Sequence, residues 1–155
     1  MVQEKHKILV VEDEAPIREL LKMELENEGF IVEVSENGLE ALEKIKTFLP
    51  DLIVSDVMMP GMDGFTLQEK LSKDPIYKEI PLIFLTAKSD KKDIRFGKSL
   101  GAEDYITKPF EFEDLRVSIY AKLKKYTDRK RMLNEKLDEI RKSILYALPH
   151  EFKNP

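Results

Sequence analysis

Short apolar runs alternate along the chain with longer segments in which apolar positions recur every three or four residues. Continuous apolar runs are typical of strands that are buried on both faces of a parallel sheet. The periodic segments predict helices with one apolar face. The pattern therefore predicts five strands, at 7–11, 30–34, 51–55, 82–85 and 105–107, and helices at 16–28, 38–48, 65–71, 90–100 and from near Phe112 onwards.

Strands that alternate with helices predict an α/β fold, with a doubly wound parallel sheet covered by helices on both faces. For five strands we expect the flavodoxin-like order 2-1-3-4-5, followed here by an extended C-terminal helix. In such sheets ligands bind where the winding reverses, which is between strands one and three. We therefore expect a functional site at the carboxyl ends of those two strands.

The last helix is predicted to be unusually long, because no proline or glycine occurs between Phe112 and Leu148. A helix of about 35 residues would be roughly 50 Å long. Its apolar stripe has steps of four and three, broken only by Lys130, and comprises Ile119, Leu123, Tyr126, Leu133, Leu137, Ile140, Ile144 and Ala147. This spacing favours a coiled coil or a bundle arm. The alternative is a shorter helix followed by a frayed, charged tail.

Composition separates the chain into two parts by charge. Of 155 residues, 42% are hydrophobic and 36% charged, as in a soluble globular protein, and the net charge is −4. Residues 122–142 alone carry +5, so the rest carries −9. The absence of cysteine excludes disulfides and thiolate metal sites and suits a cytoplasmic location. No apolar stretch is long enough for a membrane span or a signal peptide.

Acidic side chains follow strands one and three. Glu12 and Asp13 come directly after the first strand and Asp56 directly after the third, so we expect the three carboxylates to share one pocket. Such a pocket suits Mg²⁺. With the ion bound, Asp56 can attack phosphorus and form an acyl phosphate, and Thr86 and Lys108 follow strands four and five as donors to the phosphoryl oxygens. Each residue alone has an ordinary explanation as a helix cap or surface group; their shared position favours the site.

Four motifs at these strand ends resemble those of two-component response regulator receiver domains. They are VVEDE (10–14), SDVMMPGMDG (55–64), LTAK (85–88) and YITKPF (105–110), and the resemblance covers about residues 5–125. It implies Asp56 as the phosphoacceptor and Lys108 as the ligand of the phosphoryl group. It also implies Thr86 and Tyr105 as the switch pair, and Mg²⁺ bound by Glu12, Asp13, Asp56 and the carbonyl of Met58.

The C-terminal segment LPHEFKNP resembles the phosphoacceptor box of sensor histidine kinases. The resemblance implies His150 as a phosphorylated residue, Glu151 as its general base and Asn154 as a residue that positions water. The plainer interpretation is a histidine in a frayed terminus, and His6 is expected to be a surface residue. We expect the chain to be the N-terminal piece of a longer protein. In this interpretation residues 1–125 would form a receiver domain, and residues 126–155 would form a helical coiled-coil stalk that leads into a truncated kinase dimerisation region.

The predicted function is Mg²⁺-dependent aspartyl phosphorylation in a two-component phosphorelay, with the state passed through the last helix to a dimeric histidine kinase module. Expected partners are an upstream histidine kinase or phosphotransfer protein and a second copy of the chain. The piece itself shows no glycine-rich nucleotide loop, so at most slow hydrolysis of its own acyl phosphate is expected. The alternatives are a stand-alone response regulator that acts by protein contact, a metal-dependent phosphatase, and a DNA-binding arm formed by the basic helix. Because the apolar stripe runs through the basic residues and no reading helix follows, we predict no nucleic-acid binding.

Overall fold

The computed structural model describes residues 5–87 and 104–147. Five strands and four helices form in this part of the chain. The strands are β1 (Lys7–Val11), β2 (Ile31–Ser35), β3 (Leu52–Asp56), β4 (Leu82–Ala87) and β5 (Asp104–Lys108). The helices are α1 (Ala15–Asn27), α2 (Gly38–Phe48), α3 (Gly64–Ser72) and α4 (Phe112–Ala147).

All five strands pair in parallel in the order β2-β1-β3-β4-β5. This order confirms the predicted doubly wound fold and the extended C-terminal helix. Strand β2 begins one residue later than predicted, because the Phe30 amide donates to the Leu25 carbonyl and so belongs to the turn that ends α1. The helix predicted at 90–100 lies outside the described residues.

The sheet separates two apolar cores, because successive side chains of each strand point to opposite faces. On one face α1 and the first turns of α4 pack on the sheet, with Leu21, Leu25, Leu115 and Ile119 against Ile8, Val10, Val54 and Leu85. On the other face α2 and α3 pack, with Ile45, Phe65, Leu67 and Leu71 against Leu9, Val11, Ile53 and Phe84. Both faces of the central strands are therefore buried, as their uninterrupted apolar character predicted.

Local signals in the sequence fix the loops at the carboxyl edge of the sheet. Asn37 caps α2, with its side chain accepting from the Glu40 amide at 2.9 Å, and Asp63 caps α3 in the same way at the Thr66 amide. Gly64 lies so close to the backbone oxygen of Asp56 that a Cβ there would collide with it. The Gly64 amide also donates to the Val57 carbonyl, so the loop after β3 closes tightly over the end of that strand.

The chain divides into two compact units, residues 1–123 and 124–155, and α4 contributes to both. In the first unit, Ile119 and Leu123 are part of the core. In the second unit, the apolar stripe from Leu133 to Ile144 is 43–61% exposed. The start of the periodic stripe thus packs in the core of the first unit, and the residues further along are exposed to solvent. Within the described ranges, no helix has the length and apolar character that a membrane span requires.

Candidate functional site

Three carboxylates meet at the carboxyl edge of the sheet. Asp56 is the last residue of β3, and Glu12 and Asp13 follow the last residue of β1. Val11 pairs with Ser55, so the two neighbouring strands end at the same level. Carboxylate oxygens of the three acids lie within 4.8 Å of one another. The predicted acid pocket is therefore present, with Glu12 fully buried and Asp56 nearly so.

Lys108 reaches this cluster from the end of β5, past the intervening strand β4. Its Nζ lies 3.2 Å from Asp56 Oδ2 and 3.4 Å from Glu12 Oε2. The side chain is 24% exposed, so solvent screens these ion pairs only in part. Sequence reasoning placed the ammonium next to the phosphoacceptor position. The geometry shows that it also balances the buried charge of Glu12.

Burial and charge shift the protonation equilibria of the site. Burial, reinforced by the negative charge of Asp56, raises the pKa of Glu12 from 4.5 to about 7. Burial would lower the pKa of Lys108, but the charges of Asp56 and Glu12 outweigh it and raise that pKa. The ammonium of Lys108 therefore stays protonated. Without a cation in the site, Glu12 releases its proton only near neutral pH, and a bound cation would favour the ionised form of Glu12.

The donor set fits Mg²⁺ in number, type and charge. Carboxylate oxygens are the ligands that Mg²⁺ prefers, and it usually takes one or two of them together with waters and phosphate oxygens. Three carboxylates against one ammonium leave the pocket negative, and the charge of Asp56 adds to the effect of burial in raising the pKa of Glu12. Met58 follows Asp56 by two residues, and its side chain is exposed. Its carbonyl remains a predicted ligand.

Two hydroxyl groups on β4 and β5 are buried without a hydrogen-bond partner among the described residues. The Thr86 hydroxyl and the Tyr105 phenol both lack hydrogen bonds there. Phe84 pairs with Tyr105 across β4 and β5 and lies two residues before Thr86, so all three side chains share one face of the sheet. The rings of Phe84 and Tyr105 have centroids 5.5 Å apart. Burial raises the pKa of Tyr105 to about 12, so the phenol is neutral.

Sequence reasoning missed two residues of this region. Phe84 lies opposite Tyr105 and on the same face as Thr86, and only the strand register reveals this. Arg18 of α1 contacts the carbonyl oxygens of Glu12 and Asp13. No pattern in the sequence pointed to Arg18, because its partners are backbone oxygens. The predicted kinase-box residues His150, Glu151 and Asn154 lie outside the described residues, as does Lys88.

A doubly wound sheet that carries an acid cluster and a lysine at its carboxyl edge is the architecture of signalling receiver domains. The model of the response regulator receiver domain family matches residues 8–120, and the chain belongs to this family. Receiver domains bind Mg²⁺ at such an acidic pocket, and they interact with histidine kinases or phosphotransfer proteins.

Curated relatives include DNA-binding response regulators. The chain is 38% identical over 124 residues to the DNA-binding response regulator MtrA of Mycobacterium tuberculosis, a match that covers 80% of this chain and 53% of MtrA. It is also 38% identical to YkoG of Bacillus subtilis, described as an uncharacterized transcriptional regulatory protein, with 96% of this chain and 70% of YkoG covered. The chain spans about half the length of the first curated relatives it matches.

Solved structures agree on the fold and include a receiver from a kinase. The receiver domain of a signal transduction histidine kinase from Syntrophus aciditrophicus is 40% identical, with a TM-score of 0.73 over 77% of this chain and 90% of that one. The chemotaxis response regulator CheY4 of Vibrio cholerae is 33% identical, with a TM-score of 0.72 over 77% of this chain and 99% of that one. The receiver fold thus occurs among these neighbours both alone and as part of a kinase.

Proposed function

We propose that this chain is a Mg²⁺-dependent receiver that accepts a phosphoryl group on Asp56. The observation that carries the proposal is the position of Asp56, whose carboxylate lies beside Glu12 and Asp13 and 3.2 Å from the Lys108 ammonium. A nucleophile surrounded by groups that can hold a cation and bind phosphoryl oxygens is what phosphoryl transfer requires. The lack of cysteine is consistent with a role in the cytoplasm.

In this mechanism an Asp56 carboxylate oxygen attacks phosphorus of a phosphohistidine or a small phosphodonor. The new O–P bond forms as the bond to the leaving nitrogen or oxygen breaks, and the leaving atom keeps the electron pair. Lys108 binds a phosphoryl oxygen, and the Thr86 hydroxyl donates to another once the group is in place. Glu12, Asp13, Asp56 and the Met58 carbonyl would hold Mg²⁺, which would supply positive charge that offsets the negative charge of the phosphoryl oxygens.

The proposed switch uses the two buried groups that lack partners. A phosphoryl oxygen gives the Thr86 hydroxyl the acceptor that it lacks among the described residues. Movement of Thr86 would be sensed by Phe84, which contacts the Tyr105 ring. The phosphorylation state would thereby change the position of Tyr105.

Labelling with a small phosphodonor tests the phosphoacceptor. With phosphoramidate and Mg²⁺, intact-mass measurement should show one added phosphoryl group on the wild type and none on Asp56→Asn. Asp51→Asn is the matched control, because Asp51 precedes β3 at the opposite edge of the sheet and accepts from the Lys7 amide. Retained labelling in Asp56→Asn, or loss of labelling in Asp51→Asn alone, would contradict the assignment. Slow loss of the label in buffer is expected, and turnover of external phosphate esters is not.

We further propose that the receiver passes its state along α4 to a dimeric histidine kinase module. The support comes from the exposed apolar stripe and from the kinase receiver of Syntrophus aciditrophicus at 40% identity. In this proposal His150 accepts phosphate, Glu151 acts as general base and Asn154 positions water. In the longer protein that includes an ATP-binding lobe, ATP should label the wild type but not His150→Gln. His6→Gln should behave as the wild type.

The homodimer is proposed to form through the stripe of the second unit. Sedimentation equilibrium of the 155-residue chain should show a monomer–dimer equilibrium that Leu137→Glu abolishes. Met132→Glu adds the same charge at an exposed position off the stripe and should leave the equilibrium unchanged. A strict monomer at high concentration, with and without a phosphoryl analogue, would defeat this part of the proposal and leave the phosphoacceptor untouched.

A second candidate is a DNA-binding regulator, favoured by the printed function of MtrA and by the near-complete coverage of the chain in the YkoG match. Within the part of the chain that the structure describes, the candidate DNA-binding segment is the basic stretch of α4 with Lys122, Lys124, Lys125, Arg129, Lys130 and Arg131. Affinity for duplex DNA that falls steeply with salt would support it. Our prediction is that the segment does not bind DNA, because its apolar stripe needs a protein partner.

A further inference from the structure

Arg18 lies behind the acid pocket and is nearly buried, with a side chain that is 11% exposed. It is the fourth residue of α1, and its guanidinium turns back toward the loop between β1 and α1. Nη1 donates to the Glu12 carbonyl at 3.0 Å and approaches the Asp13 carbonyl at 3.4 Å. The first distance is that of a good hydrogen bond, and the second is at the long limit.

These contacts hold the backbone of a metal-binding residue from two sides. The Glu12 amide donates to the Ser35 carbonyl at 3.0 Å, and the Glu12 carbonyl accepts from Arg18. The peptide groups before and after Glu12 are thus tied to β2 and to α1. Because Glu12 is fully buried, its carboxylate can reach the pocket only if this backbone is correctly placed.

Glu36 orients the arginine in turn. Glu36 Oε1 lies 3.5 Å from Arg18 Nη2, and the Glu36 amide donates to Glu40 of α2. Glu40 is also the residue whose amide is capped by Asn37. A connected set of contacts therefore runs from the first turn of α2 through Arg18 to the two acids.

We propose that Arg18 is a positioning residue that holds the Glu12–Asp13 backbone in the geometry that binds Mg²⁺. The inference rests on the proposed magnesium site. Residues behind the ligands of a metal commonly orient those ligands, and their loss typically weakens metal affinity about 10- to 100-fold. Without Arg18, binding of the cation would have to order the loop at a cost in conformational entropy.

The charge of Arg18 is expected to change Mg²⁺ affinity in the direction opposite to its positioning role, so a measurement of that affinity can decide the proposal. The positive charge of Arg18 near the pocket opposes a cation, so its removal would by charge alone tighten Mg²⁺ binding. Glu36 already offsets that charge, and Arg18 contacts carbonyl oxygens rather than the carboxylates themselves. We therefore expect positioning to outweigh charge.

The experiment is calorimetric titration of the chain with Mg²⁺ alone, at one pH and ionic strength. Arg18→Gln should weaken the affinity about tenfold or more. Arg18→Lys keeps one donor and the charge, and should recover part of the loss. Arg116→Gln is the control, because Arg116 pairs with Glu28 and Glu113, away from the acid pocket. Thermal melts without metal show whether each variant is folded at the titration temperature.

The outcomes separate this inference from the proposed function. If wild type takes up no Mg²⁺, the proposed function fails. If wild type binds Mg²⁺ and folded Arg18→Gln binds it equally or more tightly, the positioning role alone is overturned. If Arg18→Gln is unfolded, the Lys variant decides, since a pure charge role predicts wild-type affinity for it and a positioning role predicts weaker binding.

Discussion

The Lys108 ammonium is 3.2 Å from the Asp56 carboxylate, although β4 lies between the two strands that carry these residues. One lysine therefore serves two requirements of the pocket. It compensates the negative charge of the acids, and in the proposed function it would also bind the phosphoryl group that Asp56 accepts. These two roles predict opposite effects of a single substitution.

Lys108→Met should tighten Mg²⁺ binding and slow phosphorylation. Removal of the ammonium leaves three carboxylates for the cation, whereas the phosphoryl oxygens lose a charged donor. Loss of one such donor typically costs about 100-fold or more in rate. Calorimetry measures the first effect and the initial rate of labelling by phosphoramidate measures the second. Lys22→Met, on the exposed side of α1 and paired with Glu26, is the control and should change neither. If Lys108→Met lowered both the Mg²⁺ affinity and the labelling rate, the role of Lys108 would be merely structural.

The raised pKa of Glu12 predicts how stability depends on pH. Between its ordinary value of 4.5 and about 7, this carboxyl binds more protons in the folded than in the unfolded state. The contribution of Glu12 to stability therefore falls as pH rises through that range. Bound Mg²⁺ should reverse the loss at higher pH, because it binds the ionised form.

Thermal melts in EDTA at about pH 5 to 8 test this dependence. The difference in melting temperature between Glu12→Gln and wild type should grow in favour of the variant as pH rises. Glu43→Gln, at an exposed position on α2, should show the same dependence of melting temperature on pH as the wild type. A difference that stays flat across the range would show that Glu12 does not titrate there.

Thr86→Val should stabilise the unphosphorylated protein. The hydroxyl of Thr86 is buried without a partner among the described residues, and valine replaces it with a methyl group of similar size. Removal of a buried, unsatisfied hydroxyl is worth about 1 kcal/mol or more in the free energy of unfolding. The same change should reduce the extra stability that a phosphoryl analogue gives to the wild type, because the hydroxyl can no longer donate to it.

Urea denaturation with and without beryllofluoride and Mg²⁺ measures both effects. Thr107→Val makes the same chemical change at an exposed position of the neighbouring strand and should alter neither quantity. A destabilised Thr86→Val would mean that the hydroxyl has a bonding partner in solution, such as a water molecule.

The strand pattern was sufficient to predict the sheet and the acid pocket, because buried parallel strands are apolar throughout and their carboxyl ends meet at one edge. Glu12, Asp56 and Lys108 were identifiable because each directly follows such a run. Arg18 was not, since it acts on backbone carbonyls, which have no signature in sequence. The position of Phe84 opposite Tyr105 depends on strand register, which apolar periodicity does not specify.

The apolar stripe shows a related limit of periodicity. Ile119 and Leu123 pack in the receiver core, whereas Leu137 and Ile144 continue the same spacing and remain exposed. A helical repeat indicates which side chains share a face but not what covers that face. The partner must be inferred from the residues that flank the stripe.

Charge beside the stripe decides how two copies can meet. If Leu137 and Ile144 occupy the a positions and Ile140 a d position, then Lys136 is at g and Arg141 at e. In a parallel two-stranded coiled coil, Lys136 of one helix then faces Arg141 of the second copy. By symmetry the dimer has two such contacts between like charges, one on each side of the apolar seam. Lys130 at an a position adds a further repulsion across the axis.

A parallel homodimer of this chain should therefore tighten as salt is raised, because screening weakens the repulsion. Lys136→Glu places opposite charges at both contacts, so the dimer should be tighter at low salt and weaken as salt is added. Exposed ion pairs are worth about 0.2–1 kcal/mol each, so with two contacts per dimer the change in dissociation constant at low salt should be roughly two- to thirtyfold. Sedimentation equilibrium across a salt series measures it. Lys142→Glu makes the same charge change at an f position, on the outer side of the helix, and should keep the wild-type dependence on salt. If wild type forms a dimer that weakens with salt, the helices do not pair in parallel through this seam.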